Sequence, residues 1–145
     1  MNQEFKEAFG RFSFLKVQDL ITLFGICSLK SFDKGTFLAE QDKVCKYAYL
    51  IRKGIVRTYI NTIEGEERTI RLAREKDFTS AGQSFLNGNP STEFLEAIED
   101  CKVVQIDIQK LNEIAKTNIR ILRLSHEGIK EAFNEALIVL SFLQP

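Results

Sequence analysis

The chain has 145 residues, twenty basic and twenty acidic side chains, and 44% hydrophobic residues that include twelve Phe. Size and composition point to one packed domain burying roughly two thirds of the surface its unfolded form would expose, and they exclude a disordered or repetitive chain. The balanced charge leaves no whole-chain positive field to hold nucleic acid through counterion release, so this segment is not expected to bind DNA on its own.

Cys27, Cys45 and Cys101 are odd in number and lack C-x-x-C spacing, which argues against a disulfide framework or a zinc or iron–sulfur site. They read as buried thiols of a reducing compartment. The first residues, "MNQEFKEAFGRF", are interrupted by charges, and no 18-residue apolar run occurs elsewhere. Neither a signal peptide nor a membrane span is expected, and the reading is a soluble, cytoplasmic protein.

Phe5, Phe9 and Phe12, then Leu15, Leu20, Leu23 and Phe24, recur at helical steps and predict two short amphipathic helices parted near Ser13, a helical lid over residues 1–27. From about residue 28 to 107 the texture changes to short β-branched and aromatic runs such as "YAYLIR", "IVRTYI", "RTIRLA", "FLEAI" and "VVQID". Lys53-Gly54 and Glu64-Gly65-Glu66 separate three of these runs with turn chemistry, and two hairpins are predicted there. Tyr47 to Ile51 is apolar on both faces, so its strand should lie between two sheets or beneath a helix. The fold class that follows is mainly β with flanking helices: an antiparallel jelly roll, or double-stranded β-helix, between helical ends.

Within the roll, "DFTSAGQSFLNGNPSTEF" (77–94) reads as a loop, a short helix starting near Thr79, and a Gly-Asn-Pro turn. After Asp107 a short helix, "IQKLNEIAK", precedes a long one over 118–144. There Leu122, His126, Ile129, Phe133, Ala136, Leu140 and Leu143 are spaced 4, 3, 4, 3, 4, 3, a heptad seam that calls for a partner helix. The stripe could instead pack back on the chain's own roll. However, Leu124, Ala132, Leu137, Ile138 and Val139 make a second apolar face, so one face can hold the roll while the other meets a second subunit in a parallel homodimer.

Taken in order, the strings "FDKGTFLAEQD", "YLIRKGIVRTY", "EGEERTIRLAREKDF", "AIEDCKVVQID" and "IRILRLS" resemble the effector domain of the Crp/Fnr family of bacterial transcription regulators, the cyclic-nucleotide-binding fold. The resemblance runs over nearly the whole chain and implies that residues 77–94 are a phosphate cassette. Family members that bind cyclic nucleotides carry a Gly-Glu pair whose glutamate holds the ribose, and an arginine followed by a small residue that holds the cyclic phosphate. Counting from Phe78 and back from Cys101, those anchors fall on Ser80-Ala81 and Ser91-Thr92. Each missing charged hydrogen bond is worth about 1.5–3 kcal/mol, so loss of the arginine alone weakens binding roughly ten- to a hundredfold, and cyclic nucleotide is disfavoured as a cofactor.

The implied ligand-binding set is Ser80, Ala81, Gly82, Gln83, Ser84, Ser91 and Thr92, with Arg71 as the substitute cation. Arg57 is the other strand arginine that could point inward, and Arg74 and Lys76 lie nearby. The same hydroxyls could equally cap the helix and fill a closed pocket. Glu131 and Glu135 fall near where family members cap the ligand from the dimer helix, and carboxylates there repel an anion.

An enzyme on a jelly roll would need converging His and carboxylate ligands; His126 is the single histidine and lies outside the roll, so no metal and no catalytic residue is expected. The expected function is the sensor and dimerisation half of a longer Crp/Fnr-like regulator. Its effector would be an unidentified small molecule, and its DNA contacts would be made through a C-terminal helix-turn-helix absent from this chain. The alternative is a ligand-free pairing module.

Overall fold

The computed structural model describes residues 2–142, without the side chains of Val139 and Leu140; Leu143 of the expected seam lies outside the described residues. In chain order it contains α1 (Gln3–Ala8), α2 (Val17–Phe24), β1 (Cys27–Phe32), β2 (Phe37–Ala39), β3 (Tyr47–Lys53), β4 (Val56–Asn61), β5 (Glu67–Ala73), β6 (Phe78–Thr79), α3 (Gly82–Asn87), β7 (Phe94–Ala97), β8 (Cys101–Asp107), α4 (Ile108–Ala115) and α5 (Ile119–Phe142). Two four-stranded antiparallel sheets, ordered β1-β8-β3-β6 and β2-β7-β4-β5, form the jelly roll.

The period-two alternation of the central strands builds two cores. On β3, Tyr49 and Ile51 face the other sheet, while Ala48 and Leu50 face the helices; on β8, Cys101 and Val103 go one way and Val104 and Ile106 the other. This is why Tyr47 to Ile51 is apolar on both faces. The helix-side core is closed by Phe5, Phe9, Phe12 and Leu23 from the lid and by Ile121 and Leu124 from α5. Phe5 packs 5.0 Å from Phe9, and Phe12 packs 5.6 Å from Phe78, between ring centroids.

Caps set the helix ends. Asn2 accepts from the backbone N–H of Glu4 at 2.7 Å, Asp107 from Lys110 at 3.0 Å, and Asn118 from Arg120 at 3.0 Å. Asn118 also donates to Asp19 at 2.9 Å, and Arg120 Nε donates to the same carboxylate at 2.7 Å, tying the start of α5 to α2. Asp19 is buried, and the Arg120 hydrogen bond, aided by Asn118 and the Lys16 N–H, holds its carboxyl well below the usual range against the cost of burial.

One hairpin forms where its turn chemistry predicts. Gly65, at φ 83°, closes β4 onto β5, with Thr62 N–H bonded to Glu66 O at 2.8 Å. The other does not. β3 pairs with β8 and β6, whereas β4 pairs with β5 and β7, so Lys53-Gly54 carries the chain from one sheet to the other. Gly54 has φ +95°, and a Cβ there would lie 2.6 Å from Asp100 O and 2.7 Å from Cys101 Sγ. The glycine is required by this close approach as well as by its backbone angle.

Candidate functional site

A cavity of about 290 Å³ lies where the roll meets α5. Its floor is Ala48 of β3 and Ile106 of β8, its sides are Phe78 and Thr79 of β6 and Phe85 of α3, and its roof is Leu124, Ser125, Gly128, Ile129, Ala132 and Phe133 of α5. The walls are almost wholly apolar because the alternation that fills the helix-side core continues beneath the cassette.

The charged groups at its edge are paired internally. Arg71 of β5 lines the cavity, and its Nε lies 2.6 Å from Glu135 Oε2 on α5, an electrostatic contact not aligned as a hydrogen bond. One helical turn earlier, Glu131 pairs with Arg11 at 3.0 Å. Arg11 also donates to Lys76 O at 2.7 Å and stacks 4.2 Å over the Phe12 ring, so it joins the lid, the turn before β6 and α5. Arg57 faces away: it bonds Glu67 at 3.0 Å and Glu96 at 2.9 Å and lies 4.0 Å over the Tyr59 ring. Of the two inward possibilities, tertiary structure takes Arg71.

The cassette serines are spent on the fold. Thr79 belongs to β6, and the short helix begins at Gly82, three residues later than its sequence suggests, with buried Ala81 at its N-cap. Ser80 Oγ donates to Tyr47 O at 2.8 Å. Ser84 Oγ accepts from the Cys45 N–H at 3.0 Å and donates to Asn89 O at 2.7 Å. Ser91 Oγ donates to Glu93 O at 2.8 Å and accepts from its N–H at 3.0 Å. Gln83 accepts from Asn87, Thr92 is exposed, and the Gly82 N–H donates to Glu93 Oε1 at 3.0 Å, so a carboxylate of the chain already occupies the mouth of α3. Among the eight residues expected at the ligand, Ser80, Gly82 and Arg71 line the cavity; Ala81, Gln83, Ser84, Ser91 and Thr92 do not.

Two residues the sequence reading passed over do face it. Thr79 is 3% exposed, and its Oγ1 has no hydrogen-bond partner among the described residues; Ser125 Oγ is buried and likewise unpartnered. The available signal for Ser125 is a hydroxyl inside a helix, where serine usually points to solvent or bonds back to the carbonyl one turn earlier. Thr79 gives no comparable local signal. The thiols take no part: burial pushes Cys27 up to about 12 and raises Cys101, so both stay protonated near neutrality. Among the described residues no group of His, Cys, Asp and Glu is placed to hold a metal ion.

The family model "Cyclic nucleotide-binding domain" matches residues 29–118, from within β1 through α4. The fold is similar to that of a catabolite activator protein from Thermus thermophilus, at 17% identity and TM-score 0.74 over 91% of this chain and 62% of that one. It is also similar to a protein from Eubacterium rectale assigned to the Crp/Fnr family of transcriptional regulators, at 19% and 0.79 over 93% and 63%. The sensor domain of the transcriptional regulator DNR from Pseudomonas aeruginosa matches at 16% and 0.69 over 93% and 86%. The chain thus spans less than two thirds of the first two and most of the isolated sensor domain. A comparison with curated proteins found no match. With the family model covering residues 29–118, from within β1 past the end of α4, and with a loop and short helix of the right order between β6 and β7, the chain belongs to the cyclic nucleotide-binding domain family.

Proposed function

We propose that this domain is the sensing and dimerising part of a Crp/Fnr-type transcription regulator whose effector is not a cyclic nucleotide held in the family's usual way. The observation that carries the reading is the pairing of Arg71, the cation of the cavity, with Glu135 of the chain's own long helix; by the family count Ala81 and Ser91 would stand at the two anchor positions. A cyclic phosphate entering here would meet no free cation from Arg71 and would face Glu135 at close range.

Dimerisation is supported by exposure along α5. Leu122 is 48%, Phe133 62% and Phe142 81% exposed, and His126 and Ala136 are exposed beside them. Leu122, His126 and Ile129 line a groove with Phe14 and Ile119, shaped for an apolar partner. From Phe133 onward the roll leaves the seam residue Phe133 uncovered, and Leu137 and Ile138 of the second apolar face are exposed as well. A second copy burying this seam explains the heptad spacing. DNA reading belongs, in this proposal, to a helix-turn-helix of the full-length regulator.

Calorimetric titration with cyclic AMP and cyclic GMP tests the ligand half. The expected result is no binding below about 100 μM, given the lost anchors. Sub-micromolar affinity for either nucleotide rejects it.

A further inference from the structure

We infer that the cavity between β6, α3 and α5 takes an uncharged, largely apolar molecule about two fused rings in size, carrying one hydroxyl, amide or ring N–H that pairs with Thr79 and Ser125. The inference rests on the proposed sensing role and names the chemistry of its effector.

Four observations support it. Thr79 is 3% exposed, lines the cavity, and keeps its Oγ1 unpartnered among the described residues, as does Ser125 across the roof. A buried hydroxyl left unsatisfied is costly, so a ligand group that reaches either one gains specificity from it. The remaining walls, Ala48, Phe78, Phe85, Ile106, Leu124 and Phe133, offer apolar and aromatic surface and no charge. A volume of about 290 Å³ is near twice that of a cavity of about 150 Å³ that accepts benzene, which sets the occupant at about two rings. Finally, Arg71 and Glu135 neutralise each other at 2.6 Å, so an anion must displace a carboxylate while a neutral molecule need not.

The test titrates the 145-residue chain with three probes, 2-naphthol, naphthalene-2-carboxylate and cyclic AMP, by calorimetry. The naphthol should bind at least about tenfold more tightly than the carboxylate. Thr79→Val, which keeps shape and removes the hydroxyl, should weaken the naphthol about tenfold, and Ser125→Ala should weaken it by a similar factor. Ala132→Phe, at an exposed helix position on the cavity wall, should fill the space and abolish binding even if the Thr79 variant fails to fold. Equal or tighter binding of the carboxylate, no binding of the naphthol, or indifference to both hydroxyl substitutions overturns the inference. Tight cyclic AMP binding instead rejects the reading beneath it that the effector is not a cyclic nucleotide, whereas failure of the naphthol alone leaves that reading standing.

Discussion

The carboxylate of Glu135, on the helix that carries the seam, lies 2.6 Å from Nε of Arg71, on the strand that lines the cavity. The pocket's cation and α5 are thereby one electrostatic unit. Any ligand that competes for Arg71 acts on the position of α5, and any movement of α5 changes the charge of the pocket. If α5 pairs two subunits as proposed, this contact is a physical route by which occupancy and pairing are coupled.

Replacing Glu135 by Gln should release Arg71. Affinity for an anionic probe such as naphthalene-2-carboxylate should rise about tenfold by calorimetry, while stability falls by under about 1 kcal/mol because the carboxylate is partly solvated. Unchanged anion affinity would show that the pair does not govern selectivity.

The seam has a direct readout. Phe133→Asp, and Leu122→Asp as a variant that does not line the cavity beneath α5, each place a charge on an exposed apolar position of α5. Light scattering should report the monomer mass for both, with the melting temperature of the fold little changed. A persistent dimer in both variants assigns the stripe to another role.

Asp19→Asn breaks a buried pair with Arg120 that also gathers Asn118 and the Lys16 N–H, and should cost about 3 kcal/mol, a fall in Tm on the order of 10 °C. The pH dependence follows from the depressed carboxyl. Its stabilisation is fully present above the ordinary value of 3.8 and is lost as pH falls from there toward the lower folded value. Denaturant melts of the parent and the Asn variant should therefore converge as the solution is acidified below that value. A gap that stays constant into strong acid would locate the loss in packing rather than charge.

Gly54→Ala asks a Cβ to sit 2.6 Å from Asp100 O at a φ of +95°, and should destabilise by about 2–4 kcal/mol in urea melts. A near-neutral result would mean that the crossing between the sheets yields easily.

Ser84→Ala and Ser91→Ala remove hydroxyls that bridge buried backbone groups, so each should cost about 1–3 kcal/mol of stability. Because neither residue lines the cavity, naphthol affinity should stay within about twofold of the parent. A large affinity change with intact stability would return these serines to the ligand.

Much of the molecule was legible before its fold. The two-sided apolar run at Tyr47 to Ile51, the Gly65 turn, the return of helical spacing after Asp107 and the absence of charge at Ala81 and Ser91 are all local features, readable from periodicity, turn chemistry and counting. Strand partnership was not. Lys53-Gly54 has the composition of a hairpin turn, but β3 finds β8, some fifty residues on, because pairing is decided by which faces the two cores bury.

The same division holds at the site. Counted along the family resemblance, sequence alone puts uncharged Ala81 and Ser91 where cyclic-nucleotide binders carry their charged anchors, since that depends only on residue identity at counted positions. Only the tertiary structure decided which polar groups are left for a ligand. Hydrogen bonds to Tyr47, Cys45, Asn89 and Glu93 absorb the serines that stood out, and Glu135 absorbs Arg71. Thr79 and Ser125 are left unpaired on the wall of the cavity, because satisfaction of a buried hydroxyl is set by neighbours distant in the chain.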